Sequence, residues 1–295
     1  MKFSAIIPHP KERAENESNR QWWENNPMTY DWNNQLEGMA KGKEYFEAID
    51  NKFGEAQKLL NNPRWPNGYI LENFIPYNQV KGKKVLEIGC GAGLVSAHLA
   101  QAGADLYAID LTQKAIELTR ARFSLYGLSG NISQMDAEQI DFPDNFFDYI
   151  VSWGVIHHSG DMNRIIENIH RCLVPGGKCY LMVYNKNSLR YYVWAGFWRG
   201  VVMGKFLKYN LREINGAITD GYYARHLTIK EMRDMAAEFS SIQFSFSEQT
   251  GMALRLLLPD PLHYVLNIFT KSGKIKVEKY LAERFGWFMH VVLQK

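Results

Sequence analysis

The run that most constrains the fold lies between residues 85 and 103. Val85-Leu86-Glu87-Ile88 is an apolar, strand-forming segment that enters Gly89-Cys90-Gly91-Ala92-Gly93 directly, and Leu94 to Ala102 is a helix-forming run stopped by Gly103. Three glycines in five residues let the backbone turn tightly and let a ligand approach the main chain, and a strand leading at once into a helix is half of a βαβ unit.

The alternation continues downstream. Leu106 to Ile109 is predicted as a strand ending at Asp110. Thr112 to Tyr126 is predicted as a helix with Ala115, Leu118 and Leu125 on one face and Gly127 past its end. Ile132 to Gln134 and Phe147 to Trp153 give a third and a fourth strand, the fourth apolar enough to be buried on both faces. Asp161 to Leu173 follows as a helix with Ile165, Ile166, Ile169 and Leu173 inward. Pro175-Gly176-Gly177 then turns the chain into a fifth strand, Lys178 to Tyr184. Strands and helices at this spacing imply right-handed crossovers and a mostly parallel sheet, an α/β fold. Two late strands, Ile242 to Ser247 and Trp287 to Leu293, follow longer connections, and the last suits an antiparallel edge.

Residues 1–80 differ in character. They are rich in Asn, Trp and Pro and show one clear helical pattern, Gly42 to Leu60, with Phe46, Ile49, Phe53, Ala56 and Leu60 at spacings of three and four. They are expected to form a helical cap on an 81–295 catalytic domain that carries lid-like insertions at 187–226 and 251–285. Both insertions are net basic.

Composition excludes several classes. A formal charge of +3, with no run of five basic residues, points away from nucleic acid. Cys90, Cys172 and Cys179 form no CxxC pair, which excludes a thiolate metal site and a disulfide framework and suggests a reducing, cytoplasmic compartment; no metal ligand set is expected. The first residues carry no apolar signal core. Tyr191 to Leu207 and Met252 to Phe269 are oily but broken by charge or proline, so neither reads as a membrane span. Packing as core or lid is expected, with shallow contact to a membrane left open. Oligomeric state is not legible.

Spacing within the glycine loop decides between cofactors. A dinucleotide fingerprint needs its third glycine at position 94, where this chain has Leu94, and a P-loop needs Gly-Lys-Ser/Thr, which is absent. Asp110, about twenty residues after the loop opens, is placed to accept hydrogen bonds from a ribose diol, although a surface helix cap is the plainer role for an Asp there. Asp136, beside Ala137, is placed to meet the amino group of an adenine, with loop solvation as the plainer role.

Val85-Leu-Glu-Ile-Gly-Cys-Gly-Ala-Gly93 resembles motif I of the class I S-adenosylmethionine-dependent methyltransferases, of the small-molecule, type 11-like branch. Asp110 matches that family's ribose-binding acid and Asp136-Ala137 its adenine position. Phe147 to His158 resembles its fourth-strand motif, and Arg171-Cys-Leu-Val-Pro-Gly-Gly-Lys178 the element before strand five. The likeness is strong over residues 83–184. It implies a Rossmann-like, seven-stranded, mostly parallel sheet with an antiparallel last strand and helices on both faces. It implies S-adenosylmethionine as cofactor, S-adenosylhomocysteine as product, and Glu87, Gly89, Cys90, Gly91, Gly93, Asp110, Leu111, Asp136, Ala137 and Trp153 as the cofactor site.

Ligands of open parallel sheets sit at the carboxyl ends of the strands. Strand four ends in Ser152-Trp153-Gly154-Val155-Ile156-His157-His158, and adjacent side chains rarely point the same way. Resemblance to the small-molecule branch puts His157 toward the substrate as base and leaves His158 structural; a packing role for His157 stays open. Tyr30 and Trp32 in the cap, Tyr184 and Asn185 after strand five, and Tyr222, Tyr223 and His226 in the first insertion are further acceptor-site candidates. The expected reaction is O- or N-methylation of a small molecule. A lipid-like, quinone-like or soft sulfur acceptor is the alternative, and the basic insertions favour an anionic one. A non-catalytic cofactor-binding or partner subunit is the alternative of another class. No Asn/Asp-Pro-Pro-Tyr/Phe motif follows strand four and no Pro-Cys nucleophile occurs, which argues against nucleic-acid methylation.

Overall fold

Four of the five residues of β1 (Lys84–Ile88) are buried because side chains on both of its faces meet packed layers. Leu86 and Ile88 join Ile150, Ile165, Ile169 and Met289 on one side of the sheet. Val85 joins Leu99, Leu106 and Phe123 on the other, together with Ile70 and Leu71 from the N-terminal region. The computed structural model describes residues 16–31, 35–56, 68–249, 252–257 and 271–295.

In chain order the elements are α1 (Asn16–Asn25), α2 (Lys43–Ala56), β1, α3 (Leu94–Gln101), β2 (Asp105–Asp110), α4 (Gln113–Tyr126), β3 (Asn131–Gln134), β4 (Phe147–Trp153), α5 (Met162–Cys172) and β5 (Leu173–Asn185). A π-helical segment (Arg190–Val202), α6 (Leu211–Gly216), β6 (His226–Leu227), α7 (Ile229–Met235), β7 (Ser241–Ser247), α8 (Met252–Leu257), α9 (Lys271–Phe285) and β8 (Phe288–Gln294) complete it. The sheet order is β3-β2-β1-β4-β5-β8-β7. β1 to β5 pair in parallel and β8 runs antiparallel between β5 and β7. This is the expected Rossmann-like sheet with one addition, the two-residue β6 lying parallel to the end of β5.

Local chemistry sets the boundaries. The Thr112 hydroxyl accepts from Ala115 N at the start of α4, and Gly127 ends that helix at φ 63°. The Asp161 carboxylate accepts from Arg164 N at the start of α5. Two expectations are corrected. Leu125 does not share the inward face of α4: it is 45% exposed, and the buried positions are Ala115, Ile116, Leu118, Thr119, Arg122 and Phe123. Pro175-Gly176-Gly177 is not a turn before strand five but a bulge within it, since Phe147 pairs with Leu173 and Tyr149 with Lys178. The chain's last residue holds that bulge: Gly176 N donates to Lys295 O and Lys295 N to Gly177 O, each at 3.0 Å. α2 ends at Ala56, so Leu60 lies outside the described residues, as does Trp32.

Among the described residues no helix is long and apolar enough to cross a membrane, and no cluster of three or more His, Cys, Asp or Glu could hold a metal. All three cysteines are buried and unbridged.

Candidate cofactor and acceptor site

The glycine loop is pinned to β2, with Gly89 N and Cys90 N both donating to the Ile109 carbonyl at 2.8 and 3.1 Å. Gly89, Gly91 and Gly93 adopt φ of +80°, +54° and +76°, conformations that L side chains rarely enter. Their surroundings differ. A Cβ on Gly89 would sit 2.3 Å from a methyl of Val155, and one on Gly93 2.9 Å from the Thr119 side chain, whereas one on Gly91 would meet nothing within 4 Å. Gly89 and Gly93 therefore serve close packing of loop on sheet and helix, and Gly91 leaves an open cradle.

Asp110 closes that cradle. One carboxylate oxygen accepts from Gly91 N at 3.0 Å and the other from Thr112 N and the Thr112 hydroxyl at 3.0 and 2.9 Å. Burial raises its pKa, with the Thr112 and Gly91 hydrogen bonds opposing. Glu87, one strand away, is 3% exposed and accepts a hydrogen bond from the Ser96 hydroxyl. Burial pushes its carboxyl up to about 8, the Ser96 hydrogen bond opposes, and the nearby Asp110 charge adds to the rise. Cys90 is buried with its thiol held well above its ordinary range by burial, so it packs rather than reacts.

The cleft above the loop is lined by Glu87, Gly89, Cys90, Gly91, Asp110 and Leu111 on one side. Asp136, Ala137, Trp153 and His158 line it from the ends of β3 and β4. The Asp136 carboxylate also accepts from Glu138 N at 2.9 Å, which starts the turn after β3. Trp153 stacks on His290 with centroids 5.2 Å apart, and its buried indole N–H has no hydrogen-bond partner. Such a donor is costly to leave unpaired.

α1 crosses the mouth. Asn19 Nδ2 donates to His158 O at 2.9 Å, Trp23 packs edge-on against the His158 ring at 5.1 Å, and Glu24 accepts from Gln113 N and Lys114 N at the start of α4. α1 thus ties the start of α4, just after Asp110, to the end of β4. Asn19, Trp23 and Thr112 line the cleft but were not singled out from sequence; the paired tryptophans of α1 were the available signal.

The two histidines take opposite positions from those expected. His158 lines the cleft, while His157 is fully buried, off the cleft wall, with both ring nitrogens unpartnered. His157 packs between His158 and Tyr184 at centroid distances of 4.3 and 4.2 Å, and burial with the two neighbouring imidazoles holds its pKa well below the ordinary range. His158 Nδ1 lies 2.6 Å from the Tyr223 carbonyl; burial lowers its pKa to about 4, with that contact opposing.

The other candidates divide. Tyr30 lines the cleft, edge-on to Phe53. Gly93 sits beneath the loop against Thr119. Tyr184 is buried among His157, His226 and Trp287 and lies near Asp220, whose carboxyl burial pushes up to about 6. Asn185 is committed to backbone, donating to Gly286 O and accepting from Asn187 N, each at 2.9 Å. Tyr223 and His226 line a second, separate pocket with Lys186, Arg212 and Arg225.

Residues 86–181 match the family of methyltransferase domains. A ubiquinone biosynthesis O-methyltransferase of Pseudomonas aeruginosa is 34% identical over 112 residues, 37% of this chain and 48% of that protein. Its Coxiella burnetii counterpart is 32% identical over 112 residues, 38% and 48% of the two chains. The chain spans about half the length of the curated relatives it matches. In structure, a SAM-dependent methyltransferase from Archaeoglobus fulgidus superposes with a TM-score of 0.51 at 14% identity, over 76% of this chain and 91% of that one, a likeness of fold. The matched residues 86–181 run from β1 into β5, so the likeness to methyltransferase domains covers the glycine loop, Asp110 and the parallel half of the β3-β2-β1-β4-β5-β8-β7 sheet.

Proposed function

We propose that this chain transfers the methyl group of S-adenosylmethionine to an oxygen or nitrogen of a small-molecule acceptor, with oxygen favoured. The observation that carries the reading is one cleft shared by Gly91, Asp110, Asp136, Trp153 and His158.

These residues fit the cofactor. The open side of Gly91 gives room for close main-chain approach, and Asp110 suits a ribose diol. Asp136, Leu111 and Ala137 suit the adenine, and Glu87 suits a cationic amino-acid end. When bound, the cofactor supplies an electrophilic methyl on a sulfonium. The chain's tasks are to align the acceptor atom, to exclude water beneath α1 and to take the acceptor's proton.

We place the proton-accepting role on His158 rather than His157. Its Nδ1–H is donated to the Tyr223 carbonyl, which leaves Nε2 with its lone pair, and its ring lines the cleft. The acceptor oxygen gains the methyl and yields its proton to Nε2. His157, packed behind it, holds the ring in place.

A quinone-like acceptor is the second reading, supported by the aromatic lining of Trp23, Tyr30, Phe53 and Trp153 and by the names of the curated relatives. The test is transfer of labelled methyl from S-adenosylmethionine to a panel of catechols, hydroxybenzoates, amines and thiols, preceded by calorimetry with S-adenosylhomocysteine. Labelled phenol ethers support the proposal. No binding of S-adenosylhomocysteine favours a partner subunit, and binding without transfer across the panel favours a non-catalytic cofactor binder.

A further inference from the structure

Half of the large apolar side chains exposed among the described residues, seven of fourteen, fall between residues 192 and 207. The clustering follows from an unusual helix. Arg190–Val202 is π-helical, so positions four to five apart share a face. Tyr191, Ala195 and Gly200 lie on the buried face, and Tyr192, Phe197 and Val201 on the exposed one. The chain then turns at Gly204, with φ of +66°, and presents Met203, Phe206 and Leu207, the last 89% exposed.

This tip is a built feature. Phe206 packs so closely on Gly200 that a Cβ there would lie 2.3 Å from its ring, and Met203 N donates to Trp198 O at 2.9 Å. The inner side is anchored: Trp198 Nε1 donates to Leu256 O at 3.1 Å, and Arg190 pairs with Glu248 at 2.8 Å. The charge is one-sided. From Lys186 to Arg212 the sequence has six basic residues and no acidic one, and Lys205 and Lys208 flank the apolar tip.

An exposed apolar tip flanked by Lys205 and Lys208 matches a bilayer interface, which accepts side chains at the acyl boundary and cations among anionic headgroups. A face this apolar is otherwise rare on a lone soluble protein. We propose that Arg190–Arg212 is a docking face that seats the protein on an anionic phospholipid bilayer. Its inner side packs through Tyr191 against the cluster containing Tyr184 and Trp287, with Trp153 of the cleft wall beside them.

The test is co-sedimentation of the full chain with vesicles of phosphatidylcholine alone and of phosphatidylcholine with phosphatidylglycerol. The bound fraction should rise about fivefold or more with the anionic lipid and fall as salt is raised. Lys205→Glu with Lys208→Glu should abolish the preference for anionic lipid with an unchanged thermal midpoint, and Phe206→Ser with Leu207→Ser should weaken binding to both while the chain still unfolds in one cooperative transition. An intact chain that stays in the supernatant with anionic vesicles overturns the proposal. So does binding that neither pair of substitutions alters. A concentration-dependent dimer, lost on Phe206→Ser with Leu207→Ser, would assign the face to a second copy and also overturn it.

Discussion

The Nδ1 atom of His158 and the backbone carbonyl of Tyr223 are 2.6 Å apart. A carbonyl only accepts, so Nδ1 carries the proton and Nε2 is left basic, and the first insertion thereby fixes the tautomer of a ring at the end of β4. With a pKa of about 4 the ring stays neutral across physiological pH and is protonated only as pH falls through that value. His158→Ala should lower kcat by about 10²–10⁴-fold while changing cofactor affinity little. The wild-type pH profile should be flat above pH 6 and lose activity toward pH 4. His157→Asn should lower thermal stability without moving that profile. A His158→Gln enzyme of wild-type turnover would remove the ring from the chemistry.

The glycines of the loop separate binding from folding. Gly91→Ala costs only the strain of a positive φ, about 1–2 kcal/mol, because its Cβ meets nothing. It should weaken S-adenosylhomocysteine binding far more than it shifts the thermal midpoint. Gly89→Ala should do the reverse, since its Cβ overlaps Val155. Calorimetry and thermal melts on the two variants compare the outcomes directly, and an equal loss of binding and stability in both would end the distinction.

The legible and illegible parts of this molecule divide by range. The sheet and the glycine loop were legible because their signals are local: strand and helix periods, glycine spacing and an acid at a strand end all lie within a few residues. Which of His157 and His158 faces the cleft was not, because a short turn, Ile156–His158, rotates the pair and Tyr223, 65 positions away, captures the second ring. Likewise Asn185 looks like a pocket residue by position, but its amide is consumed by Gly286, 101 positions away. The role of α1 depends on Asn19 and Glu24 meeting partners 139 and about 90 positions distant, contacts with no periodic signature.

Arg122 should be the structural hinge of the N-terminal region. Its side chain is 2% exposed, holds Asp50 through two hydrogen bonds of 2.9 and 2.7 Å, donates to Ala92 O of the glycine loop and lies over the Phe46 ring. Asp50→Ala leaves the guanidinium buried with its charge unpaired. The expected loss is about 2–3 kcal/mol, below the full figure for a buried pair because Asp50 is 32% exposed. Urea unfolding measures it. A loss below about 0.5 kcal/mol would class the pair with surface ion pairs.

His98 should make the fold acid-labile. Its Nδ1 accepts from Ile70 N at 2.9 Å, and burial lowers its pKa to about 4. The unfolded chain, with an ordinary value near 6.5, binds the proton first, so this contribution is complete above pH 6.5 and is lost as pH falls toward 4. Glu87 and Asp220, with raised pKa values, run the opposite way, so the measurement is a difference. Between pH 7.5 and 4.5, His98→Gln should lose about 2 kcal/mol less than wild type in urea unfolding. Parallel pH dependences would contradict this.

Glu87 should couple cofactor binding to proton release. With a pKa of about 8 its carboxyl is mostly protonated at pH 7 in the free protein. A ligand bringing a sulfonium and an ammonium into that cleft favours the carboxylate and lowers the pKa, so binding should expel close to one proton. Calorimetry at pH 7 in buffers of different ionisation enthalpy counts it directly. S-adenosylhomocysteine, which lacks the sulfonium, should expel fewer protons than S-adenosylmethionine, and Glu87→Gln should expel none by this route. Equal binding enthalpies in every buffer would show that the carboxyl is already ionised or lies beyond the ligand's field.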